Sequence, residues 1–200
     1  MKNTTRLAVV AIAAAGSLAG AQLQTITIDF DDQIGGFNPP ALTDGMFSPH
    51  ATFSTTSDSV LLIFEGSGFV GGSNPNNLTA ALSQQASDFD SDIFIDFPVA
   101  ANAVSLDVLA DNDSGVIANL VVTHAGGTDS IDVIGNGDFT DKVPMDLSLY
   151  TDVTRIELVN ITDEFGLSID NLVFDVPVPA PSSLALLGAA GLLAPRHRRG

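Results

Sequence analysis

An all-β fold, an antiparallel β-sandwich, is what the middle of this 200-residue chain predicts. Three observations carry that expectation. Apolar residues recur at every second position in short runs; Gly, Asn, Asp and Pro punctuate those runs; and no stretch shows the 3.6-residue period of a convincing amphipathic helix. Roughly nine or ten such strands suffice for two packed sheets. No internal repeat of fixed period is visible, which argues against a propeller or a solenoid.

Taken in order, the first element stands apart from the fold. Lys2 and Arg6 precede an apolar run from Leu7 to Ala15, and Ala19, Gly20 and Ala21 supply the small-x-small pattern of a cleavage site. Residues 1–21 therefore read as a signal peptide, with the mature chain expected to begin at Gln22. No twin-arginine pair precedes the apolar run, so the general secretory route is expected.

Residues 22–177 are long enough for one domain with a sizeable core. Thr25 to Phe30 places Ile26, Ile28 and Phe30 on one face of a strand, and Asp92 to Phe97 does the same with Ile93, Ile95 and Phe97. Further strands are expected at Ala51 to Thr55, Val60 to Phe64, Ala103 to Leu109, Val116 to His124, Ser130 to Ile134, Val153 to Val159 and Leu167 to Phe174. One helical turn is expected over Asn77 to Gln85. The chain has no cysteine, so its stability must come from apolar burial, to which twelve phenylalanines contribute.

Charge excludes whole classes of partner. All twenty-four acidic residues lie in this body, and its only basic ones are Lys142 and Arg155, so two against twenty-four gives a formal charge of −22. Nucleic acid and anionic lipid both require a basic footprint, so neither is a partner of the body. The acids are twenty-one Asp to three Glu, a bias that suits turns and oxygen-rich cation sites better than helix faces.

The last element is a tail. Val178, Pro179, Ala180, Pro181, Ser182 and Ser183 precede an apolar run of eleven residues, Leu184 to Ala194, and Arg196, Arg198 and Arg199 form a basic end. This order resembles the PEP-CTERM sorting signal of exopolysaccharide-producing Gram-negative bacteria. The resemblance implies a transient inner-membrane anchor, an exosortase-like processing membrane protease as partner, and a final place in the cell envelope, at the surface or in the matrix. Arg196, Arg198 and Arg199 act in that scheme as the basic stop against complete translocation. Two features depart from the family pattern: Ala180 stands where the family has Glu, and Pro195 separates the apolar run from the arginines. The apolar run is also short of the roughly twenty residues that span a bilayer as a helix.

Three segments of the body are similar to jelly-roll domains found ahead of such tails: Ile28 to Asp32, Gly71 to Leu78 and Gly166 to Phe174. These bodies are similar in turn to carbohydrate-binding-module sandwiches. The first and last strands of a jelly roll commonly lie side by side, which would bring Asp29, Asp31 or Asp32 near Asp170. Converging carboxylates and carbonyls are what a hard cation such as Ca²⁺ requires, so these four are the candidate metal ligands.

Other motifs are weaker. Asp111 to Gly115 imitates the start of a calcium loop, but Val122 stands where an EF-hand places its bidentate Glu, and an ordinary turn between strands is the better reading. Asp88, Asp90 and Asp92 read as a solvated loop, and Gly66 to Asn77 lacks the lysine of a phosphate loop. Neither His50 nor His124 accompanies a Gly-x-Ser-x-Gly elbow, the histidines lack zinc-site spacing, and His197 belongs to the tail. Catalytic residues are therefore not expected. Three functions stay open: a structural or adhesive protein of the envelope, a carbohydrate-binding module that contacts extracellular polysaccharide, and a secreted hydrolase. The lack of Trp and the single Tyr150 weigh against the second.

Overall fold

In the computed structural model, which describes residues 22–36, 41–42, 45–65, 76–82, 91–109, 112–163 and 165–178, alternation of apolar and polar residues becomes ten strands. These are β1 (Gln22–Ile28), β2 (Thr52–Thr55), β3 (Val60–Glu65), β4 (Asn76–Ala81), β5 (Ile93–Leu109), β6 (Ser114–His124), β7 (Gly127–Asn136), β8 (Lys142–Asp146), β9 (Val153–Val159) and β10 (Ser168–Val178). No helix occurs among the described residues. Leu23–Val178 forms one compact unit. Signal residues Ala19 and Ala21 lie outside the described residues, as does the tail beyond Val178, which ends β10.

Three local expectations differ from the structure. The helical turn expected from Asn77 is strand β4: Leu78 and Ala80 enter the core while both edges of the strand are paired, with β3 along its length and with β10 at Ser168 and Ile169. Two-sided pairing overrides the weak helical preference of its alanines. The separate strands expected at Asp92 to Phe97 and Ala103 to Leu109 are the two ends of β5, a single strand of 17 residues. Its ladder to β9 shifts between Asp96 and Ala101, and Ala103 takes a φ of 49°, so the strand bends without ending. Finally, β8 carries no sequence signal because Pro144 interrupts it. Among the described residues β8 pairs only with β5, and an edge strand tolerates proline.

The bend in β5 explains the architecture. Its first half, Ile93 to Asp96, lies between β2 and β9, while Ser105 to Leu109 lies between β10 and β8. One strand thus serves two sheets, and the hydrogen-bonded path β3-β4-β10-β5-β9-β6-β7 folds on itself there into an antiparallel jelly-roll-like sandwich. The opening and closing strands, β1 and β10, do pair. Ile93, Ile95, Leu120, Val122, Ile156 and Leu158 from one sheet share a single buried cluster with Leu61, Ile63, Leu78, Ile169 and Phe174 from the other. Phe97 and Phe174 meet edge to face between the sheets, with ring centres 4.9 Å apart. Phe30, Phe47 and Phe53 form a second edge-to-face group at 5.1 to 5.5 Å. Each such pair adds about 0.5–1.5 kcal/mol beyond its area burial.

A buried carboxylate fixes the loops at the ends of β5 and β9. Asp163, 3% exposed, accepts the backbone N–H of Asn112 at 2.7 Å and of Asp113 at 3.1 Å on Oδ2, and that of Phe165 at 3.0 Å on Oδ1. The segment that resembled a calcium loop is therefore bound internally through its backbone amides.

Candidate functional site

Alternation leaves one broad sheet face turned away from the core. Because Ile93, Ile95, Ile156, Leu158, Leu120 and Val122 point inward, their neighbours Phe94, Asp96, Arg155, Glu157, Val121 and Thr123 point outward. Register places them together. Phe94 pairs with Glu157 and Asp96 with Arg155; Glu157 and Arg155 pair in turn with Val121 and Thr123, and these with Ser130 and Thr128 on β7. On the other side Thr52 and Ser54 of β2 stand opposite Asp96 and Phe94. Five adjacent strands span about 19 Å at the usual strand spacing.

Arg155 organises the middle of this face. Its Nη1 donates to both oxygens of Asp96, at 2.7 and 2.9 Å, and its Nε donates to Glu157 Oε1 at 2.7 Å. The guanidinium carbon stands 4.8 Å from the centre of the Phe94 ring. A planar cation held by two carboxylates and stacked on a ring keeps one orientation. The hydrogen bond to Glu157, more than the interactions with Asp96, holds the guanidinium above its ordinary pKa against an opposing effect of burial. At the start of β5, burial pushes the Asp92 carboxyl above the usual range; a backbone hydrogen bond from Asn160 opposes this, and the Glu157 charge adds to it. Asn119 extends the polar surface, donating to Asp132 at 2.9 Å and accepting from Asn160 at 3.1 Å. This face offers charged acceptors and donors beside apolar surface.

The expected site residues fall in different places. Asp29 and Asp32 line one open depression of about 100 Å³ with Thr27, Ile28, Phe30, Gln33 and Phe47. Asp31 instead accepts the backbone N–H of Asn76 at 3.3 Å. Asp170, 3% exposed, stands opposite Asp107 across β10 and β5. Among the described residues no group of three or more acidic or histidine side chains is placed to hold a metal ion. Asp88 and Asp90 lie outside the described residues.

His124 and Tyr150 are engaged in local contacts. His124 bonds through Nε2 to Asp129 at 3.2 Å and accepts the Gly126 amide on Nδ1 at 3.1 Å, so both ring nitrogens are occupied. Tyr150 packs against the core, with its ring 4.7 Å from that of His124. Sequence reasoning missed Phe94, Asp96, Arg155 and Glu157 as a group. The one usable signal was scarcity, since Arg155 is the only arginine of an acidic body.

No family model and no curated sequence matches the chain. Among solved structures, the K2 cleaved adhesin domain of Lys-gingipain is similar, at 10% identity and a TM-score of 0.49 over 76% of this chain and 99% of that one. The tandem CBM22-1–CBM22-2 domain of Xyn10C from Paenibacillus barcinonensis is similar at 12% identity and a TM-score of 0.40, over 84% of this chain and 53% of that one. A family 29 carbohydrate-binding module is similar at 10% identity and a TM-score of 0.34, over 82% and 98%.

Proposed function

We propose that this chain is an exported, non-catalytic adhesive protein of the envelope whose sandwich binds extracellular polysaccharide on the outer face of β2, β5, β9, β6 and β7. The observation that carries this reading is the arrangement of Asp96, Arg155 and Glu157 around Phe94 on an open face. Sugar hydroxyls both donate and accept, so a fixed guanidinium flanked by carboxylates can engage neighbouring hydroxyls in both senses. The apolar surface of Val121 and of the Phe94 ring suits the C–H face of a sugar ring. An open face suits a long chain that lies across strands, where a hydrolase would need a cleft to position one bond and exclude water.

Gel retardation by a panel of polysaccharides, including exopolysaccharide from a Gram-negative producer, tests the binding. The purified full chain is expected to be retarded by at least one of them, and Phe94→Ala and Arg155→Ala are each expected to remove about tenfold or more of the affinity. Ile34→Ser, at a side chain 91% exposed on another part of the surface, should bind as the parent does. Absence of retardation in the parent, or full retention by both face variants, would overturn the proposal.

Export and sorting form the second half of the reading, supported by the signal pattern ending at Ala19 and Ala21 and by the tail from Val178 to Arg199. In an exopolysaccharide-producing host, deletion of residues 179–200 is expected to release a folded body from the membrane fraction, because a sorting tail is an address read separately from the domain it follows. A truncated chain that is insoluble, or one that stays with the membrane, would count against this assignment.

A further inference from the structure

A second polar row lies in the other sheet, away from the proposed polysaccharide face. Leu78, Ile169, Leu106 and Val108 belong to the core, so Asn77, Ser168, Asp170 and Asp107 occupy the opposite face of β4, β10 and β5. Asp170 is the register partner of Asp107. The antiparallel pairing of Ser168 with Thr79 and Ile169 with Leu78 places Asn77, two residues before Thr79, toward the Asp170 end of this row. All four are buried, at 0, 3, 3 and 7% exposure for Asn77, Ser168, Asp170 and Asp107.

Part of this row is accounted for. Lys142 Nζ donates to Asp107 Oδ2 at 2.7 Å, and Asn171 Nδ2 donates to the same oxygen at 3.0 Å. The backbone N–H of Asn171 donates to Asp170 Oδ1 at 2.7 Å and its Nδ2 to Asp170 Oδ2 at 3.4 Å, in a bulge where Asn171 takes a φ of 50°. The neutral groups beside the carboxylates are not accounted for. Asn77 Oδ1 and Nδ2 and Ser168 Oγ are buried with no hydrogen-bond partner. A buried polar group without a partner is costly, and the two orphaned oxygens, Asn77 Oδ1 and Ser168 Oγ, on the face of a carboxylate pair call for a ligand.

We infer that Asp107, Asp170, Asn77 and Ser168 form a divalent-cation site that takes Ca²⁺. The atoms that can ligate a cation are oxygens, two anionic from Asp107 and Asp170 and two neutral, Asn77 Oδ1 and Ser168 Oγ, with no imidazole or thiolate that would favour a transition metal. Ca²⁺ accepts six to eight such oxygens in irregular geometry, with water or main-chain carbonyls completing the shell, whereas Mg²⁺ demands a near-ideal octahedron. Two carboxylates make a low-charge site, so affinity falls in the weak range of extracellular modules, on the order of 10⁻⁴–10⁻³ M. Lys142, with its side chain 43% exposed at the β8 edge, is the counter-ion of Asp107 in the cation-free protein. Its ammonium competes with the metal for that carboxylate.

Calorimetric titration and thermal melting of the purified full chain test the site. Ca²⁺ is expected to raise the melting temperature more than Mg²⁺ does, and more than sodium chloride at matched ionic strength, which removes general screening of an acidic body. Asp170→Asn should abolish the Ca²⁺-specific part. The double variant Asp29→Asn, Asp32→Asn should keep it, which separates this site from the depression beside β1. Lys142→Gln carries the test should Asp170→Asn fail to fold. Removing the competing ammonium is expected to lower the Ca²⁺ dissociation constant about three- to tenfold. Equal melting temperatures in the three salts, a Ca²⁺ response retained by Asp170→Asn or lost with Asp29 and Asp32, or an unchanged or weaker affinity in Lys142→Gln would each overturn the inference.

Discussion

Phe174→Ala is expected to destabilise the sandwich by about 3–5 kcal/mol, the range for deleting a buried aromatic ring from a packed core. Phe174 is fully buried on β10, and its ring meets Phe97 of the facing sheet at 4.9 Å. Truncation would remove the transfer energy of the ring, the edge-to-face pairing and the packing of both sheets against it, because strands held in ladders on either side cannot close the gap. The melting temperature should fall by about 6–20 °C at this domain size. Phe139→Ala, at a ring 43% exposed, provides the contrast and should change stability by less than about 0.5 kcal/mol. A loss below about 1 kcal/mol for Phe174→Ala would mean that the two sheets do not pack through this ring.

The parts of this fold that the sequence reveals are those where one strand face is wet and the other dry. Ile93, Ile95 and Phe97 alternate with Asp92, Phe94 and Asp96, and the period of two follows directly. β4 is different, because its sequence Asn-Asn-Leu-Thr-Ala-Ala has little strand preference, and its conformation comes from pairing on both edges, with the preceding strand β3 and with β10 far along the chain. The continuity of β5 is equally non-local. Pro98 to Asn102 reads as a connection, yet the strand bends through it and pairing resumes at Ala101 and Asn102, because each half has its own neighbours. Pairing of β1 with β10 was legible from the jelly-roll pattern, while side-chain direction was not: Asp29 and Asp32 share a depression, and Asp31 turns to the Asn76 backbone. The proposed binding face joins Phe94 to Arg155 and Glu157 through strand register, which no local motif encodes.

Asp163→Asn is expected to cost about 2–4 kcal/mol although it is nearly isosteric, because the wild-type carboxylate acts as an acceptor on both oxygens. Oδ2 takes the amides of Asn112 and Asp113, while Oδ1 takes that of Phe165 and, at 3.4 Å, the Asn112 side chain. An asparagine keeps one acceptor oxygen and turns an NH₂ group toward donors. At 3% exposure, water has little access to relieve the mismatch. Asp163→Ala should cost at least as much, since all of these donors lose their acceptor and a cavity is added. The two substitutions share a local signature. Amide hydrogen exchange at Asn112, Asp113 and Phe165 should accelerate well beyond that of β6 and β9, because these amides are bound to the Asp163 side chain and have no place in the strand ladders. Unchanged exchange at those three amides, with stability within about 0.5 kcal/mol of the parent, would show that the loops are fixed by their flanking strands and that the carboxylate is incidental.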